Sequence, residues 1–178
     1  MTIAMHPIYT QTISAQTVSV ISFNNVPQNF TDLFVVASTR SATTAGGGRI
    51  RLSFNGNATS IYSTTLIWGS GSSVGSFREN PAANAISSPQ SLSTDTANSF
   101  TNLQVYIPSY RSNRFKAFMS EGLKENNSSA ISTFEGMNLA ANLFRSTDPI
   151  TSVQIGSEGG NFAQNSTFTI YGITNGIA

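Results

Sequence analysis

The chain has 178 residues, enough for one sizeable core, and no cysteine, so disulfides, thiolate catalysis and cysteine-based zinc sites are excluded. Charged residues make up only 10% of it and the net charge is +1, which leaves no basic footprint for DNA or RNA. Hydrophobic residues, at 39%, supply a core, yet no apolar run approaches the roughly 20 residues of a membrane helix, so neither nucleic acid nor membrane is expected as a partner.

Residues 1–16 read as a short N-terminal arm without the basic and apolar regions of a secretory signal. Ile3, Met5, Ile8 and Tyr9 make this segment too apolar for a plain solvated tail. They are the candidate partner-binding residues, with an extra edge strand as the alternative reading of the segment. The rest, 17–178, reads as a single β-sandwich domain.

Residues 17–23 alternate through Val18 and Val20, then change phase at Ile21 and Phe23, which predicts a bulge. Residues 33–37 are continuously apolar, as in a strand covered on both faces. Ile50, Leu52 and Phe54 alternate with Arg49, Arg51 and Ser53, and Asn55-Gly56 is a turn signal behind them. Residues 61–68 form the next expected strand. From Gly69 to Asn98 the chain is polar and too long for an ordinary connection, so it hides a short strand or carries function as a loop. Leu103, Val105 and Ile107 mark a strand that Pro108 ends. Phe115, Ala117 and Met119 line one face of another. Further strands are expected at 130–134, around 139–143, through Ile150, Val153 and Ile155, and through Phe168, Ile170 and Gly172. Some eight to ten strands of ordinary length with few or no helices predict an all-β fold, an antiparallel β-sandwich. Phe54, Leu103, Val105, Phe168 and Ile170 are its expected core.

Little of this points to catalysis. The one histidine, His6, stands in the arm beside Pro7, a poor place for a triad, and one histidine cannot make a multi-histidine metal site. The eight carboxylates are Asp32, Glu79, Asp95, Glu121, Glu125, Glu135, Asp148 and Glu158, and no acidic run has calcium-loop spacing. Gly46-Gly47-Gly48 reads as a hairpin tip, since the lysine and helix of a phosphate loop are missing. Tyr62, Trp68, Tyr106 and Tyr110 either stack on sugar rings or pack; Trp68 ends an apolar strand, which favours packing. No catalytic, metal or cofactor-binding residue is assigned, and no cofactor is expected.

Several blocks carry a resemblance. They are residues 18–23 running into Val26-Pro-Gln-Asn-Phe-Thr-Asp-Leu33, then Arg51-Leu-Ser-Phe-Asn-Gly56, Phe100-Thr-Asn-Leu-Gln-Val-Tyr-Ile-Pro-Ser-Tyr110, Glu125-Asn-Asn127, Pro149-Ile-Thr-Ser-Val153, and Asn161-Phe162 leading to residues 168–173 with their closing Tyr171-Gly-Ile173. In this order the chain resembles surface proteins of bacteriophage virions, the capsid decoration (cement) and tail-fibre modules. The resemblance implies a jelly-roll-like sandwich, often a homotrimer, without enzymatic activity. It implies a virion-surface location after synthesis in the host cytoplasm, with the major capsid protein or another virion protein as partner. The first expectation is a decoration protein bound to the assembled shell. The alternative is a tail or fibre component that binds a host glycan or receptor.

Overall fold

The computed structural model describes residues 3–44, 48–71, 73–125, 127 and 136–175. The strand expected at 130–134, Glu135, and the tip glycines Gly46 and Gly47 lie outside the described residues. Among the described residues there are twelve strands and no helix: β1 (Ile3–Thr12), β2 (Val20–Phe23), β3 (Asp32–Thr39), β4 (Arg49–Phe54), β5 (Tyr62–Gly69), β6 (Val74–Ala82), β7 (Ala85–Pro89), β8 (Thr101–Ile107), β9 (Lys116–Leu123), β10 (Met137–Phe144), β11 (Val153–Ser157) and β12 (Thr167–Asn175). They make two antiparallel sheets arranged as a sandwich. One has eight strands in the order β1-β12-β3-β8-β9-β10-β5-β6, the other four in the order β2-β11-β4-β7.

The pairings are nested. Strands β3, β4 and β5 pair in turn with β8, β7 and β6, and on their other sides with β12, β11 and β10. Because β3 and β5 belong to the large sheet and β4 to the small one, each run of three crosses the sandwich and returns beside itself.

Side-chain alternation explains which faces meet. Ile50, Leu52 and Phe54 of β4, Leu103, Val105 and Ile107 of β8, and Phe168 and Ile170 of β12 are all buried between the sheets, as their spacing predicts. The Phe54 ring meets Phe118 and Phe144 edge-on at 5.2 and 5.3 Å, and Tyr62 stacks on Phe144 at 5.0 Å. Edge-on and stacked pairs of this kind add to the area they bury. The Tyr62 hydroxyl accepts from the Phe54 amide at 2.8 Å, so its polar end is satisfied in the core.

Three sequence expectations are altered. Of the expected arm, Ile3–Thr12 form β1, antiparallel to β12, and Ile13 behind it is buried; this part is the extra edge strand. The unpaired edge of β1 carries Pro7, and its register shifts between Pro7 and Tyr9, two devices that blunt an exposed edge. No bulge interrupts β2: its register with β11 is continuous from Val20 to Phe23, and the phase change falls where the irregular backbone before Val20 becomes strand. The polar stretch from Gly69 to Asn98 contains two strands, β6 and β7. Asn55-Gly56 is the turn its sequence predicts, and it leads from β4 in the small sheet to β5 in the large one. Asn55 adopts φ 56°, a backbone conformation asparagine tolerates, and its side chain ties down the segment before β11. Its Nδ2 donates to Pro149 O at 2.8 Å, and its Oδ1 accepts from the Thr151 amide at 2.8 Å.

Candidate functional site

The predicted partner-binding residues do not gather into one surface. Met5 stands exposed beside Ile173. Ile8 and Tyr9 pack against the main core; the Tyr9 ring stacks on Phe23 at 5.6 Å and its hydroxyl donates to Asn24 O at 2.6 Å. Ile3 is placed opposite Asn175 at the end of β1. His6 lies 5.9 Å from the Phe30 ring, between centroids.

The described carboxylates are mostly engaged in the fold. Asp32 accepts from the Tyr106 hydroxyl at 2.9 Å and the Ser109 amide at 2.8 Å. Glu79 and Glu158 flank Arg51 at 2.7 and 3.0 Å. Asp95 pairs with the buried Lys124 at 2.9 Å, and Asp148 accepts from Ser146 Oγ at 3.1 Å. Lys116, another buried cation, donates to the carbonyls of Ser146 and Asp148; desolvation holds its pKa below the usual lysine value, against the opposing pull of the Asp148 carboxylate. Among the described residues, no three His, Asp or Glu side chains come together as a metal site requires.

Of the aromatic residues considered for sugar stacking, Tyr62 and Tyr110 are buried, and Trp68 packs beside Leu66, Ile86 and Ala140 over Gly75. Only Tyr106 reaches the outer face of the large sheet. Burial, then the Asp32 carboxylate it donates to, raises its pKa above the usual tyrosine value.

That outer face is the distinctive surface. In β9, Lys116, Phe118, Ser120 and Gly122 turn inward, and Ala117, Met119 and Leu123 turn out. In β10, Met137, Leu139 and Ala141 turn out. The registers join these side chains into rows across the sheet. One row runs Tyr171, Phe34, Tyr106, Met119, Ala141 across β12, β3, β8, β9 and β10, continuing to Thr65 and Arg78 on β5 and β6. The next passes through Gln104, Glu121, Leu139, Ile67 and Ser76. A third passes through Asn102, Leu123, Met137, Gly69 and Val74. Ile67 and Met137 are each 59% exposed and Val74 is 87% exposed. Antiparallel sheets facing water ordinarily present polar side chains there. Here the panel formed by β9, β10, β5 and β6 is apolar at most positions and carries Glu121 and Arg78 on opposite margins.

Four strands about 4.8 Å apart and three same-face positions about 6.8 Å apart span roughly 20 Å by 20 Å, or about 400 Å². A patch of this size is large enough to mark an interaction site. Beside it, Tyr106, Pro108, Ala117, Met119, Leu139 and Ala141 border a shallow hollow of about 420 Å³. The polar groups near this hollow are already used: Tyr106 donates to Asp32, and the Asn142 amide bonds to Thr64 and Ser120.

The sequence contained the residues of this panel without indicating their direction. Phe115, Ala117 and Met119 do share a face, and it is the one turned away from the second sheet. No protein-family model matches the chain, and no curated protein matches it closely enough to count as a relative.

Proposed function

We propose that the chain is a non-enzymatic structural protein of a bacteriophage virion, a decoration protein that docks on the assembled capsid through the outer face of its eight-stranded sheet. The observation that carries the docking role is the apolar, charge-poor panel of β9, β10, β5 and β6. Placement on a virion rests on the order of sequence blocks that resembles phage surface proteins. The nested pairing of β3-β4-β5 with β8-β7-β6 and with β12-β11-β10 supports a jelly-roll-like topology, in which paired strands wrap together around the barrel axis.

Docking works here by burial. Covering Met119, Leu139 and Ile67 removes apolar surface from water, and few charges have to lose their hydration in the process. A ligand that binds only the assembled shell stabilises it by mass action. A glycan fits the hollow beside the panel less well, because sugars need free hydrogen-bonding groups and its Tyr106 hydroxyl and Asn142 amide are committed. Counting copies per purified particle tests the reading. A copy number matching the shell lattice, lost on Leu139→Asp with the fold intact, supports it. A few copies confined to the tail, or attachment unaffected by Leu139→Asp, overturns it.

A further inference from the structure

We infer that the apolar panel is covered by a second copy of this chain, packed face to face across a two-fold axis that runs along the strands between β10 and β5. The inference rests on reading the panel as a docking face: in the free protein its occupant is a copy of the chain itself, which must separate before the same face meets the capsid. A contact of this kind is isologous: each position on the panel must match the position the axis carries onto it.

The registers allow that match to be checked position by position. The axis lays β9 over β6 of the second copy and β10 over its β5. Leu139 then falls on Ile67 and Leu123 on Val74, apolar on apolar in both directions. Met137, 59% exposed, falls on Gly69, which has no side chain. A β-carbon at Gly69 would stand 3.8 Å from Met137 Cγ and 3.9 Å from Val74 Cγ1, so the gap there is walled on both sides and open above. Each copy thus offers one knob and one hole, and the axis brings them together.

The charges select the same arrangement. Glu121 falls on Ser76, one same-face position along β6 from Arg78, a separation of about 7 Å that an arginine side chain spans. The contact therefore joins Glu121 to Arg78 twice, once at each margin. The alternative two-fold axis, running across the strands, sets Glu121 on Glu121 and juxtaposes like charges; both axes lay Arg78 against an apolar side chain, Met119 in the favoured one and Val74 in the other, but only the favoured one leaves Glu121 within its reach. Near-parallel stacking of two twisted sheets is an ordinary packing geometry. The panel, about 400 Å² in projection, is smaller than the roughly 800 Å² per partner of a standard interface, so the pairing is weak and concentration-dependent. The resemblance to phage surface proteins implies a trimer, but this face matches itself only in pairs.

Sedimentation equilibrium of the full chain, from micromolar to millimolar concentration, tests the inference. A monomer–dimer equilibrium is expected. Glu121→Arg alone and Arg78→Glu alone should each weaken it by about tenfold or more, and the double exchange should restore it. Gly69→Leu should abolish the dimer while leaving the melting temperature close to wild type, because Gly69 has no left-handed backbone and a β-carbon there meets only ordinary contacts. A trimer, a monomer throughout, or a double exchange that fails to restore pairing overturns the two-fold contact. Binding of the same variants to purified particles separates the outcomes. If the wild type stays monomeric but Gly69→Leu no longer attaches to capsids, the docking face stands and the self-pairing falls. If neither pairing nor attachment responds to any of the variants, both are overturned.

Discussion

The ring of Phe30 occupies the space where Gly172 would carry a β-carbon. Beside it, the amide and the hydroxyl of Thr31 both donate to Ile173 O, at 2.8 and 2.6 Å. Two sequence blocks more than a hundred residues apart, Asn29-Phe-Thr-Asp32 and Tyr171-Gly-Ile173, are therefore one structural unit. Glycine at 172 is required for close approach: any side chain there collides with the ring or pushes it into solvent.

Gly172→Ala should consequently destabilise the fold by about 1–3 kcal/mol, as overpacking does. The same substitution made in a Phe30→Ala background should cost much less, because residues in contact are not additive. Urea denaturation of the four proteins of this cycle measures the coupling. Equal costs in both backgrounds would mean that the ring does not rest on the glycine.

The N-terminal strand makes a separate prediction. β1 pairs with β12 along its length, and Tyr9 both stacks on Phe23 and donates to Asn24 O. Deleting residues 1–12 removes these contacts and exposes the edge of β12. The truncated chain should melt at a lower temperature than the full chain. Met5→Ser, at an exposed position, should stay within about 0.5 kcal/mol of wild type. A truncation that melts as the full chain does would restore the arm as a separate attachment element.

How far the sequence could be read depended on whether composition and burial agreed. In β4, β8 and β12 they agree, and strict alternation located both the strand and its inner face. In β7 they conflict. Ala85-Ile-Ser-Ser-Pro89 is buried throughout, yet Ser87 and Ser88 look like loop residues. Small side chains are needed because β7 presses against β9 so closely that a β-carbon at Gly122 would overlap Ser88. In β9 and β10 the difficulty is different. Both faces hold apolar residues, and the buried face of β9 includes Lys116 and Ser120. Periodicity separates two faces but does not say which one the second sheet covers, so the outer panel was not legible before the pairing was known.

Alkaline pH should expose the tyrosine core. Burial pushes the Tyr62 hydroxyl up to about 12, against the weaker opposing effect of its bond to Phe54, while an unfolded tyrosine ionises near 10. Between these values the unfolded chain releases a proton that the folded chain keeps, so stability is intact below about pH 10 and falls toward pH 12. The loss from Tyr62 alone is about 2–3 kcal/mol. Burial also raises Tyr106 and Tyr110, which act in the same direction. The desolvated Lys116 has a lowered pKa and acts oppositely: it gains stability as pH rises through its folded value toward the ordinary one. Tyr62→Phe should be less stable than wild type at neutral pH, having left the Phe54 amide without its 2.8 Å acceptor, and should lose less stability on alkalinisation. Denaturant midpoints across this range decide the matter; parallel alkaline limbs for the two proteins would contradict burial of the hydroxyl.

Arg40 carries the last prediction. It lies at the end of β3, nine-tenths buried, and its guanidinium donates to the carbonyls of Ser93, Asp95, Thr96 and Ser99 at 2.8–3.2 Å. The segment between β7 and β8 is thus wrapped around one side chain, which satisfies backbone acceptors that have no strand partner. The planar fork of arginine reaches carbonyls on several sides at once; lysine, with a single ammonium, cannot. Arg40→Lys should therefore keep the charge and the fold but release part of this segment. Arg40→Ala should destabilise the protein by about 2–4 kcal/mol, since several charge-assisted bonds disappear and their carbonyls stay partly buried. Hydrogen exchange is the direct readout. Amides of residues 93–99 should exchange faster in both variants, while those of β4 and β11, in the other sheet, keep wild-type protection in Arg40→Lys. Uniformly faster exchange across the sandwich in Arg40→Lys would assign Arg40 to the global core instead of to this segment.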